Sequence, residues 1–138
     1  MIKNYTINDV VFLKFETINQ GNTHLSFNEG IRANRVFLID VKQPEVRGRH
    51  AHKKCSQWFG VLRGSAVIYC NDGKNHLSIN ITETDNFLFI PPGIWAEQTY
   101  SINTKALVFC DLIFDEADYI RNWDDFVVYK DRSIIAHE

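Results

Sequence analysis

An all-β chain is the fold class that the sequence predicts, and two observations predict it. Short apolar segments recur at regular spacing through most of the 138 residues, too brief for helices. Turn-forming residues separate them, and only the segment near the C-terminus carries a helical pattern. Roughly ten short strands in one small chain imply a sandwich or barrel. No repeat or linker appears, so residues 1–138 read as a single domain.

Taken in order, the expected strands are Val10–Glu16, His24–Glu29, Arg35–Asp40, Arg49–His52, Gln57–Gly64, Ser65–Cys70 and His76–Ile81. Phe87–Pro91, Trp95–Ser101 and Ala106–Ile113 complete the set. Between Cys70 and His76, "NDGK" contains Asp-Gly, a hairpin signal because both residues tolerate positive φ. "PPG" at Pro91–Gly93 stops a strand, since proline cannot donate to a ladder. "DEADYIRNWDDF" at Asp115–Phe126 predicts a helix, acidic at its start and with Ile120, Trp123 and Phe126 at helical spacing.

Composition narrows the function classes. Apolar residues are 45% and charged residues 23%, with a formal net charge of −2 and no long basic run. A nucleic-acid or membrane-surface partner is therefore not expected. No apolar run approaches the roughly 20 residues of a membrane span, and "MIKNYTINDV" has no apolar signal-peptide region. The three cysteines, Cys55, Cys70 and Cys110, form no C-x-x-C pair and read as reduced core thiols of a cytoplasmic protein.

The chemistry concentrates in "RGRHAHKKCSQWFGVLRG", Arg47–Gly64. Alternate residues of a strand share a face, so His50 and His52 point together, with Ala51, Arg47 and Arg49 on the opposite parity. The bland alternative is a pair of exposed histidines. Facing into a barrel, they would share one small ligand. The spacing from His50-Ala51-His52 to Gln57 and Gly64, followed by "PPGIWA" at Pro91–Ala96, is similar to the two motifs of the cupin barrels. That resemblance implies a cupin double-stranded β-helix, a jelly-roll-like barrel, with a short C-terminal helical segment. Metal-binding cupins use three histidines and a glutamate. Here Gln57 and Ala96 stand at two of those places, leaving two imidazoles and a neutral amide, a poor set for a divalent ion. No metal is expected. His24, His76 and His137 lack motif spacing.

A neutral imidazole near arginines suits proton abstraction beside a carbonyl, with the developing oxyanion held by cationic donors. The chain further resembles the sugar-nucleotide 3,4-ketoisomerases in "NRVFLID", "RGRHAHKKCSQ", "NDGK", "IPPGIWAE" and "FDEADYIRNWDDF". The resemblance implies movement of the ketone of dTDP-4-keto-6-deoxyglucose from C4 to C3 by a homodimeric enzyme without metal or redox cofactor. The product would feed a 3-aminotransferase, in synthesis of a 3-amino-3,6-dideoxy sugar for surface polysaccharide. His50 and His52 match the family's catalytic histidines, with the division of labour between them open. Arg35 and Arg47 match arginines placed to meet the diphosphate, Gln57 the motif amide, and Tyr119 and Arg121 the D-Y-I-R segment. Trp95 matches a tryptophan expected either to stack on the base or to fill the core. Phe37 stands where the family has tyrosine and so loses a hydroxyl; Ala96 stands where it has histidine. A sugar-nucleotide-binding cupin without catalysis and a 3,5-epimerase-like cupin are the competing readings. "VVFLKFE" is the expected edge strand for dimerisation.

Overall fold

Two five-stranded antiparallel sheets face each other in the computed structural model, which describes residues 3–137, without side chains beyond residue 132 (His137 among them). In chain order the strands are β1 (Val11–Phe12), β2 (Glu16–Gln20), β3 (Thr23–Phe27), β4 (Arg35–Asp40), β5 (Glu45–His52) and β6 (Gln57–Arg63). They continue with β7 (Ser65–Asn71), β8 (His76–Thr82), β9 (Leu88–Ile90), β10 (Trp95–Tyr100), β11 (Lys105–Cys110) and β12 (Tyr119–Ile120), followed by the helix α1 (Trp123–His137). One sheet has the order β1-β9-β6-β11-β4 and the other β12-β5-β10-β7-β8, with β2 and β3 forming a separate hairpin. This is the β-barrel that the strand pattern predicts, of the cupin type that the motif resemblance implies.

The alternation sets the core. Phe59, Val61, Ala106, Val108, Cys110 and Leu88 of one sheet meet Ala66, Ile68, Cys70, Ile81 and Tyr100 of the other. A second, smaller cluster lies on the far side of β5 and β10. There Ala51, Trp95, Ile120 and Phe126 pack together and dock α1. Phe126 is fully buried, and burying such a side chain stabilises by about 2–3 kcal/mol. The hairpin between β7 and β8 forms at "NDGK" as expected. Gly73 has φ +94°, and Asp72 Oδ1 accepts from the amides of Lys74 and Asn75 at 2.9 and 2.7 Å.

Two expected elements differ from the structure. The segment Val10–Glu16 is not one strand: β1 pairs with β9 for two residues, then the chain leaves the sheet and enters β2 at Glu16. Nor is Asp115–Phe126 one helix. It forms a 3₁₀ turn at Glu116–Asp118, the short strand β12, and helix only from Trp123. The cause is the open edge of β5, where Tyr119 pairs with His52 and Ile120 with Ala51. The side chain of Asn122 then starts α1 by accepting from the amide of Asp125 at 3.0 Å.

Candidate active site

A cavity of about 440 Å³ opens between the sheets, lined by Arg35, Phe37, Arg47, His50, Gln57, Tyr119 and Arg121 among others. Seven residues singled out in the sequence thus come from β4, β5, β6 and the β12 segment to one place. Arg47 arrives there by a route that simple alternation misses. Ala96 pairs with His50 but Glu97 pairs with Gly48, so Arg49 is an extra residue in β5. Gly48 and Arg49 both have positive φ, +85° and +60°. This bulge reverses the parity. Arg47 therefore lines the cavity with His50 instead of lying opposite, while Arg49 forms an exterior ion pair with Glu97 at 3.5 Å.

The two imidazoles meet edge to face, with centroids 5.1 Å apart. Tyr119 packs on both, at 5.0 Å from His50 and 4.3 Å from His52. His50 faces the cavity. His52 sits beside it, buried, and its Nδ1 contacts Asp118 Oδ2 at 3.0 Å. A carboxylate oxygen only accepts, so Nδ1 carries the proton and Nε2 keeps its lone pair. That Nε2 is buried with no partner among the described residues. Asp118 is itself held, accepting the amide of Lys54 at 2.7 Å while its carbonyl accepts the amide of Lys53 at 2.8 Å.

Burial decides the charge states. It pushes His50 down to about 4, aided by the neighbouring His52. His52 is also pushed down by burial, but the hydrogen bond and charge of Asp118 oppose that shift. Both rings are therefore neutral near pH 7, the form that accepts a proton.

Cations rim the same cavity. Arg35 donates to the Tyr119 hydroxyl at 3.1 Å and sits between the rings of Phe37 and Phe114, 5.0 and 5.2 Å from their centroids. Arg121 stacks 4.2 Å above the Tyr119 ring and forks onto Glu116 at 2.6 and 3.0 Å. Gln57 donates to the Cys110 sulfur at 3.4 Å. Such planar, pre-oriented guanidinium groups suit an anionic ligand.

Trp95 is not part of the cavity. Its side chain lies on the opposite face of β10 and contacts Trp123 and Phe126 at 5.4 and 5.7 Å. It packs against α1, the position of the core alternative, away from the cavity. Asp118 is the residue that sequence reasoning missed. The adjacent Tyr119 and Arg121 were the available signal. His24 and His76 lie away from the cavity: His24 bonds Asn19 at 2.9 Å in the β2–β3 hairpin, and His76 packs on Tyr69.

The ligand atoms of His52, Cys55 and Asp118 lie within 4.8 Å of one another, so these three are the described residues that could gather round a cation. His52 and Asp118 already bond each other there. None of the helices of the described residues is long and apolar enough to cross a membrane.

Comparison with known proteins gives one consistent picture. The family model FdtA (WxcM-like, C-terminal) matches residues 8–131. A TDP-4-oxo-6-deoxy-α-D-glucose-3,4-oxoisomerase of Aneurinibacillus thermoaerophilus is 34% identical over 94 residues, covering 67% of this chain and 68% of that protein. The structure of WlaRA, a TDP-fucose-3,4-ketoisomerase from Campylobacter jejuni, superposes with a TM-score of 0.82 at 29% identity, covering 91% of this chain and 98% of the other. A histidine-to-asparagine mutant of the 3,4-ketoisomerase QdtA from Thermoanaerobacterium thermosaccharolyticum, in complex with TDP-4-keto-6-deoxyglucose, superposes with a TM-score of 0.79 at 29% identity, covering 90% and 95%.

Proposed function

The chain belongs to the FdtA family (WxcM-like, C-terminal), and from that premise we propose that it moves the ketone of TDP-4-keto-6-deoxyglucose from C4 to C3. The observation that carries this reading is the unpartnered Nε2 of His52, backed by Asp118 beside a cationic cavity. A base with one nitrogen fixed by a carboxylate and the other free is arranged for proton transfer.

In this mechanism His52 Nε2 takes the proton from C3, and the ketone at C4 becomes the oxyanion of an enediolate. Arg35 and Arg121 stabilise that charge. His50, neutral and on the cavity wall, passes the proton of the C3 hydroxyl to the oxygen on C4. His52 then returns its proton to C4, leaving a ketone at C3. Atoms and charge balance, and the reaction consumes nothing. Arg47 is read as meeting the diphosphate, with Gln57 and Phe37 shaping the sugar pocket. Proton transfer needs no metal, and Ala96 and Gln57 remove two ligands of the metal-binding pattern.

The product is read as the precursor of a 3-amino-3,6-dideoxy sugar. Coupling the protein to a 3-aminotransferase with TDP-4-keto-6-deoxyglucose, in EDTA, is expected to yield the 3-amino sugar nucleotide. Absence of product where a known isomerase succeeds contradicts the assignment, and loss of product only in EDTA contradicts metal independence.

The protein is further read as a cytoplasmic homodimer. Its three buried free thiols suit a reducing compartment. Exposed Val11 and Phe12 at one sheet edge, and Val36 and Leu38 on the other edge strand, are the apolar surface that a second copy would cover.

A further inference from the structure

Tyr100 is only 1% exposed, and its hydroxyl is buried without a hydrogen-bond partner among the described residues. It comes from the end of β10, where its register partner on β5 is Glu45, beyond the bulge that turns Arg47 inward. Its side chain lines the same cavity as His50, amid Phe37, Phe59 and Val108. Those neighbours are apolar, and the Phe59 ring lies 6.1 Å from that of Tyr100. Nothing in the proton-transfer scheme uses this hydroxyl.

A buried hydroxyl that meets no partner loses the hydrogen bonds it made to water. In a folded core such a group is replaced by phenylalanine at no loss unless something else satisfies it. The other tyrosine of the cavity wall, Tyr119, already accepts from Arg35. Phe37, which also faces the cavity, has no hydroxyl to offer. Tyr100 is thus the cavity-lining hydroxyl left for a ligand.

We infer that Tyr100 is a specificity-determining residue whose hydroxyl hydrogen-bonds an oxygen of the sugar ring inside the barrel. The inference rests on the sugar-nucleotide reading of this cavity and adds the contact that recognises the sugar rather than the nucleotide. The Arg47 charge reaches Tyr100, but the ring is set among Phe37, Phe59 and Val108, apolar surfaces that suit the face of a hexose rather than a phosphate, so its contribution is assigned to the sugar.

Calorimetric titration of wild type and Tyr100→Phe separates the two ends of the ligand. The probes are TDP and TDP-6-deoxyglucose, which lacks the ketone and does not react. The variant is expected to bind TDP within about twofold of wild type. It should bind TDP-6-deoxyglucose at least about tenfold more weakly and melt no lower than wild type. Unchanged affinity for the sugar nucleotide overturns the inference. So does an equal loss for both ligands, or a lower melting temperature, which marks a hydroxyl satisfied inside the fold. A wild-type protein that binds the sugar nucleotide yet leaves the keto sugar unchanged contradicts the ketoisomerase reading and leaves this contact standing.

Discussion

The hydrogen bond between His52 and Asp118 joins residues 66 positions apart. The histidine pair was legible in the sequence because it rests on local alternation, which needs no knowledge of the rest of the chain. Asp118 was not legible, because its partner is fixed only when Tyr119 and Ile120 pair with the edge of β5. The unpartnered state of the Tyr100 hydroxyl was not legible either, because the absence of a partner is a property of the packed barrel. Asp118 touches His52 and not the cavity, so it is a positioning residue. Asp118→Asn retains the size of the group but can donate from its amide, which permits the wrong tautomer of His52. A kcat at least about tenfold lower, with KM within about threefold, is expected from steady-state kinetics. A large rise in KM with unchanged kcat contradicts the positioning role.

Among the elements, β5 decides which side chains reach the ligand. Most strands followed from the apolar pattern, β2 and β12 excepted, and β4 has the predicted bounds, Arg35–Asp40. The bulge in β5 did not follow, although glycine inside a strand was its trace. Gly48 has φ +85°, and a Cβ there would lie 2.6 Å from Gln98 Oε1 and 2.9 Å from the Ala96 carbonyl oxygen. Gly48→Ala is therefore expected to destabilise by about 1–3 kcal/mol. Thermal unfolding should show a drop of several degrees. An unchanged midpoint contradicts the strain at the bulge and, with it, the account of how Arg47 turns inward. The tail teaches the converse lesson. Ile120, Trp123 and Phe126 are all placed toward one cluster or its rim, as helical spacing suggests. Yet the open edge of β5 claims Ile120 as strand before α1 begins.

On the scale of the whole molecule, two sheets enclose the cavity while their outer edges stay open. Among the described residues the β2–β3 hairpin pairs only with itself, and Ile18 and Leu25 are exposed on it. An exposed apolar edge of this kind invites pairing with another chain. Sedimentation is expected to give a dimer at micromolar concentration, and a monomer across that range contradicts the assembly proposed. The cavity itself carries the central claim, which is that His52, held by Asp118, moves the proton that relocates the ketone. The most direct test follows TDP-4-keto-6-deoxyglucose by carbon NMR with wild type and His52→Asn in parallel. Wild type is predicted to convert the C4 ketone to a C3 ketone. His52→Asn should bind TDP normally yet convert the ketone at least about a hundredfold more slowly. A variant that retains more than about a tenth of the wild-type rate would contradict the account.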